Sequence, residues 1–176
     1  MFTNPEKNLR AFGLSENMLV ADLGAGTGFY SILAAHMVPN GKVYAVEIQK
    51  DFLHTIAGKA KEVNLKNIEY IWGNVEKIGG TKIADGILDA VIASNIFSHI
   101  EEKDNFIQEV KRILKVGGRV LLIDKTENSL LFNNMTHKIL SKDEVKQYFI
   151  DKGFVFLKDL DTGIHHYGII FQKTMS

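Results

Sequence analysis

The 176 residues carry 21 Lys+Arg against 21 Asp+Glu, with 45% apolar and 24% charged residues. That balance matches a globular domain of ordinary size, excludes disordered and fibrous classes, and leaves no global basic field for nucleic acid or an anionic membrane. There is no cysteine, so disulfides, thiolate metal sites and cysteine nucleophiles are excluded; with no signal-peptide-like start and no apolar run of about 18 residues, a single cytoplasmic domain over 1–176 is expected.

In chain order, Asn4-Pro5-Glu6-Lys7 places Asn before Pro and an early acid, and Gly13 follows Leu9 and Phe12. These are start and stop signals for a short helix whose apolar pair could cover a cleft or cap a sheet. Residues 18–23 form a strand that runs straight into Gly24-Ala25-Gly26-Thr27-Gly28. Glycine there permits positive φ and leaves no Cβ between the turn and a ligand, while the following helix offers unpaired N–H groups and the positive end of its dipole. Phe29, Ile32, Leu33, His36 and Met37 mark the expected apolar face of that helix, over 29–38, which Pro39-Asn40-Gly41 closes.

The β-branched and aromatic run 42–47 ends on Glu47, 23 residues beyond Gly24. In a doubly wound fold such an acid sits beside the first glycine turn and can accept hydrogen bonds from ribose hydroxyls; the other reading is a solvated acid near a helix start. Phe52, Ile56, Ala60 and Val63 then repeat at helical spacing. Residues 67–72 are a third strand ending in Gly73-Asn74-Val75-Glu76, and 77–86, with three glycines, is a loop. The nearly continuous apolar run 87–94 has the pattern of a strand buried on both faces. Its end, Ser94-Asn95-Ile96-Phe97-Ser98-His99, opens onto the crevice of the glycine turn, the edge where ligands bind in open α/β sheets.

From residue 101 a helix presents Phe106, Val110, Ile113 and Leu114, and 114–124 is expected to give the helix end, a glycine stop and a fifth strand. Residues 125–140 show no pattern. Ser141-Lys142-Asp143-Glu144 is a capping box, Val145, Tyr148 and Phe149 make the stripe of the last helix, and 154–160 and 167–173 are strands joined by Asp161-Thr162-Gly163. Alternating β and α units with a final hairpin predict an α/β, doubly wound, seven-stranded sheet, mostly parallel with one antiparallel strand.

The G-x-G-x-G spacing behind Asp22 differs from the dinucleotide fingerprint G-x-G-x-x-G and resembles motif I of the class I S-adenosylmethionine-dependent methyltransferases. The run from Leu114 to Asp124 is similar to their L-K-P-G-G-x-L-x-x-x-D strand, with Val116 in place of Pro. Within that class, Asn4-Pro5-Glu6-Lys7, the run 43–47 and the fourth-strand end resemble the small ubiquinone/menaquinone-biosynthesis-type enzymes. The resemblance implies a Rossmann-like sheet of order 3-2-1-4-5-7-6 and S-adenosyl-L-methionine as cofactor. Gly24, Ala25 and Gly26 would meet its methionine part, Asp22 would orient the turn and the amino group, and Glu47 would clamp the ribose. Ile48 would pack on the adenine face, and Asn74, where relatives often carry Asp, would meet the adenine edge with Val75. Ser94 and Asn95 would line the floor under the sulfonium.

A small-molecule acceptor is expected, in a pocket built from the first helix, 125–140 and residues beyond the fourth strand, with no nucleic-acid partner and no membrane span. His99 is the first candidate for a base, if the acceptor must lose a proton; its alternative is a solvent-facing or capping histidine. His165 and His166 alternate in direction, so at most one faces the cleft; no third ligand is in register, and no metal site is expected. His137 could line the acceptor pocket. Phe29 is expected in the core, while Tyr30 and Phe97 could be core or pocket wall. The same motifs would serve a non-catalytic S-adenosylmethionine-binding domain; a nicotinamide-dependent dehydrogenase is disfavoured by the glycine spacing and the hairpin.

Overall fold

A computed structural model describes residues 4–126 and 140–175. His137 and most of the patternless stretch 125–140 lie outside the described residues. Helix α1 (Pro5–Phe12) leads into β1 (Leu19–Leu23), α2 (Phe29–Met37), β2 (Lys42–Glu47), α3 (Lys50–Glu62) and β3 (Ile68–Trp72). Then come β4 (Leu88–Ser94), a short 3-10 turn at Phe97–His99, α4 (Lys103–Ile113), β5 (Leu114–Lys125), α5 (Lys142–Asp151), β6 (Phe154–Leu160) and β7 (His166–Lys173).

The strands form one seven-stranded sheet in the order β3-β2-β1-β4-β5-β7-β6. Neighbours from β3 to β5 run parallel, and β7 is antiparallel to both β5 and β6. That is the topology expected from the sequence, with β7 as the single reversed strand. The strand order reverses between β1 and β4, since the chain runs outward from β1 to β2 and β3 on one side and from β4 to β5 on the other, so a crevice opens at their C-terminal ends. Val20, Ala21, Val91, Ile92, Leu121 and Leu122 are fully buried because helices cover both faces.

Three expectations about local packing need correction. On α2 the buried residues are Tyr30, Ser31, Ala34 and Ala35, while Phe29 is 67% exposed and His36 is exposed. Small residues bring this helix close to the sheet, and α1 covers its Tyr30 side, where Asn8 donates to the Tyr30 hydroxyl at 3.0 Å; the face was therefore chosen by size and by a second helix rather than by hydrophobicity. On α3, Leu53, Ile56 and Ala60 are buried, and Val63, its C-cap, is exposed. At the other end of the sheet Leu114 already belongs to β5, and Gly117-Gly118 do not stop a helix. They absorb a bulge, since Leu88 pairs with Leu114 whereas Ala90 pairs with Arg119.

Helix α1 is packed rather than loose. Asn4 caps it by accepting from the Lys7 amide, Leu9 and Phe12 are buried, and Arg119 donates to the Phe12 and Gly13 carbonyls at 2.8 Å each. The capping box of α5 is present, with both Ser141 and Glu144 bonded reciprocally. None of the helices among the described residues is long and apolar enough to cross a membrane.

Candidate functional site

The glycine turn is built by backbone approach. Gly24, Gly26 and Gly28 have φ of 69°, 52° and 84°, the left-handed region that only glycine enters freely. The Gly24 and Ala25 amides both donate to the Val46 carbonyl, at 2.9 and 3.1 Å, tying the turn to the end of β2. A Cβ on Gly28 would lie 2.7 Å from Ile56 of α3, and a Cβ on Gly24 would collide with Ile96 beyond β4. Two of the three glycines therefore serve close packing as well as turn geometry.

Glu47 sits at the end of β2, nearly buried, with both carboxylate oxygens turned back on the chain. Oε2 accepts from the Gly26 amide at 2.9 Å, and Oε1 accepts from the Ile48 and Gln49 amides at 2.8 and 3.0 Å. The carboxylate thus links the glycine turn to the start of α3. Oε2 keeps lone-pair capacity for a further donor, whereas both lone pairs of Oε1 are taken by backbone amides.

Asp22 points from β1 beneath the same turn, 2% exposed, and accepts from the Ser31 hydroxyl at 2.6 Å. Burial pushes its carboxyl up to about 6; the hydrogen bonds from Ser31 only partly offset this, and the neighbouring Glu47 charge adds to it. It titrates close to neutrality beside an open cavity.

Two cavities flank the turn. One, of about 290 Å³, is bordered by Glu47, Ile48, Asn74, Val75, Ile96 and His99. The other, of about 520 Å³, is bordered by Pro5, Asp22, Gly26, Phe29, Tyr30 and Ser94. Gly24 and Asn95 border both. The sequence-expected residues therefore separate into two groups, with Glu47, Ile48, Asn74 and Val75 on one side and Asp22, Ala25, Gly26 and Ser94 on the other.

Local bonding explains the walls. The Asn74 side-chain oxygen accepts from the Glu76 amide at 2.8 Å, so the loop after β3 folds back under the cavity. Asn95, at φ 53°, turns the chain out of β4, and its side chain donates to Ser94 at 3.3 Å. His99 ends the 3-10 turn and faces the cavity of Glu47 and Asn74, not that of Asp22. His165 is exposed and His166 half-buried, and neither borders the two cavities; no cluster of metal-ligating side chains occurs among the described residues.

The aromatic expectations resolve differently. Phe97 is core, 5.6–6.3 Å from the rings of Phe106, Phe149 and Tyr148. Tyr30, nearly buried, borders the larger cavity, and so does exposed Phe29, whose ring lies 4.9 Å from the Lys59 ammonium. Lys59 also donates to the Thr27 carbonyl at 2.7 Å. Phe29 belongs to the pocket rim rather than the core because Tyr30, Ser31, Ala34 and Ala35 form the buried face of α2.

Sequence reading missed several residues that shape the site. Asp124, fully buried at the end of β5, accepts from the Ser98 amide and hydroxyl at 2.8 and 2.9 Å and so anchors the turn carrying His99. Glu109, fully buried on α4, accepts from the Gly79 and Thr81 amides, the Thr81 hydroxyl and Arg112, and holds the loop after β3. Burial alone would raise Glu109; the bonds from Arg112, Thr81 and Gly79 outweigh it and bring the carboxyl down to about 2. Its position between Phe106 and Val110 on the apolar stripe was the available signal.

A doubly wound sheet with a glycine turn, an acid after β2 and a divided crevice at the switch point defines a nucleoside-cofactor fold of the class I methyltransferase type. Residues 14–156 match the methyltransferase domain family, and the chain belongs to it. A demethylmenaquinone methyltransferase from Lactococcus lactis is 28% identical over 155 residues, covering 88% of this chain and 59% of that protein. An arsenite methyltransferase from Halobacterium salinarum is 29% identical over 124 residues, 69% of this chain and 31% of that protein. The chain thus spans only part of the length of these relatives. A solved S-adenosylmethionine-dependent methyltransferase from Aquifex aeolicus superposes with a TM-score of 0.82 at 28% identity, covering 97% of this chain and 89% of the other.

Proposed function

We propose that the protein binds S-adenosyl-L-methionine across the two cavities and transfers its methyl group to a small organic acceptor. The observation that carries this is the partition of the crevice: the residues expected for adenosine border one cavity, those expected for the methionine part border the other, and the two meet at Gly24 and Asn95. The chain fits such a cofactor, because Gly24 borders both cavities with no side chain of its own and because Asp22 is a buried carboxylate at the larger cavity.

Glu47 would take a ribose hydroxyl with the lone pair that Oε2 keeps, Ile48 would pack on the adenine face, and Asn74 with Val75 would meet its edge. Asp22, ionised above about pH 6, would receive the cofactor's amino group. When bound, the cofactor supplies an electrophilic methyl on a sulfonium, so the chain's own task is alignment and exclusion of water. Pro5, Phe29 and Tyr30 would give the acceptor apolar and aromatic walls. His99 is the candidate base, although its cavity makes contact with cofactor its first role.

Relatives differ in the acceptor their names state, demethylmenaquinone in one and arsenite in another. The 176 residues hold no cysteine, hence no thiolate for a soft trivalent centre, which supports an organic acceptor. Calorimetry with S-adenosylmethionine and NAD tests the cofactor; NAD binding in its place would overturn the reading. Formation of S-adenosylhomocysteine with quinol, phenol, amine and thiol acceptors tests turnover, and persistent binding without product would make this a binding domain instead.

A further inference from the structure

We propose that Ile96 fixes how large an alkyl group the cofactor's sulfur can carry, an inference that rests on S-adenosylmethionine spanning both cavities. The sulfur is the atom that joins the adenosyl half of that molecule to its methionine half. Glu47, Asn74 and Val75 border one cavity, Asp22, Gly26 and Ser94 the other, and Gly24 with Asn95 are common to both. A molecule that fills both must put its joining atom, and the group that atom carries, at Gly24 and Asn95.

Ile96 borders the adenosyl-side cavity and reaches over Gly24 at that joint. A Cβ built on Gly24 would collide with Ile96 Cδ1 and lie 3.1 Å from Cγ1, so the isoleucine arm rests directly over the glycine. Its backbone is held on both sides. The Asn95 amide donates to the Ile123 carbonyl at 2.8 Å, the His99 amide donates to the Ile96 carbonyl at 2.9 Å, and Ser98 bonds Asp124 twice. Phe97 is locked among Phe106, Tyr148 and Phe149.

With the chain fixed before and after it, the width of the joint is set by the side chain at 96. A β-branched side chain has few rotamers with which to yield, and one methylene in a tight apolar site changes selectivity by roughly 10–200-fold. Ile48 borders the same cavity but stands more than half exposed, and the three atoms nearest a Gly24 Cβ all belong to Ile96, so Ile48 shares the adenosyl site without controlling the joint.

The test is calorimetry on the full chain with three probes, S-adenosylmethionine, S-adenosylethionine and adenosine. The wild type is expected to prefer the methyl over the ethyl sulfonium by at least about tenfold. Ile96→Ala should bring that ratio close to one, and Ile96→Val, the milder change if alanine harms folding, should move it part of the way. Ile48→Ala should weaken all three probes and leave the ratio where it was. Equal wild-type affinity for both sulfonium compounds, or a ratio unmoved by both Ile96 variants, overturns the proposal. Failure of the wild type to bind S-adenosylmethionine at all overturns the cofactor reading beneath it, and is seen separately.

Discussion

Asp22 and Glu109 are both buried carboxylates, yet they titrate on opposite sides of an ordinary acid. Glu109 meets a guanidinium, a hydroxyl and two amides, so its charge is better solvated by the protein than by water. Asp22 has Ser31 and, nearby, a second acid. The first arrangement holds a loop in place, and the second leaves a poorly compensated carboxyl beside a cavity. Perturbed acids with poor compensation collect at functional sites.

Breaking the well-solvated member should have the largest effect. Glu109→Ala strips Arg112 of its main partner and leaves the Gly79 and Thr81 amides without their acceptor, and is expected to destabilise the fold by about 3–5 kcal/mol. Denaturant titration measures it; a loss below about 1 kcal/mol would deny Glu109 its anchoring role. The sign with pH follows from its depressed value: the contribution is present above about pH 4.5 and is lost as pH falls toward 2.

Asp22 should respond in the opposite sense. Because its folded-state carboxyl is raised, the folded protein binds that proton more tightly than the unfolded chain does. Its ionisation therefore costs nothing below about pH 3.8 and reaches its full penalty as pH rises past 6. Asp22→Asn is expected to stabilise the protein at pH 8 by about 2–3 kcal/mol, while weakening S-adenosylmethionine binding. Wild-type affinity for the cofactor should fall as pH drops through about 6, and the variant should lose that dependence. A pH-independent wild-type Kd between 5 and 8 would refute the assignment of the amino group to Asp22.

Smaller effects sharpen the contrast between the cavities. Glu47→Ala should weaken cofactor binding by about 1–3 kcal/mol, the size of hydrogen bonds to a charged group; an unchanged dissociation constant would remove Glu47 from the ribose. For His99→Ala the expected outcome is a few-fold rise in cofactor KM with kcat retained, of the size of one lost wall contact. A fall in kcat with KM unchanged would instead make His99 the base.

Much of the fold was legible because its signals are local. The buried run 87–94, the capping box at Ser141 and the strand–glycine–helix passage through Gly24 each depend on a few neighbouring residues, and the succession of elements predicts a mostly parallel sheet with one reversed strand, while the strand order itself follows from the family resemblance. Misreadings occurred where several apolar faces were available. Hydrophobicity alone places Phe29 in the core, but α1 and the sheet together select Tyr30, Ala34 and Ala35.

By itself, then, the sequence determined the chain of elements, the glycine turn and the acids at the ends of β1 and β2, since backbone conformation and strand alternation are written in adjacent residues. Only the tertiary structure decided that two cavities meet at Gly24 and Asn95, that Ile96 of one of them lies over Gly24, and that Glu109 and Asp124 hold the surrounding turns. Those features join residues far apart in the chain, and their burial, charge and spacing exist only once the sheet has brought the ends of β1, β2, β4 and β5 together.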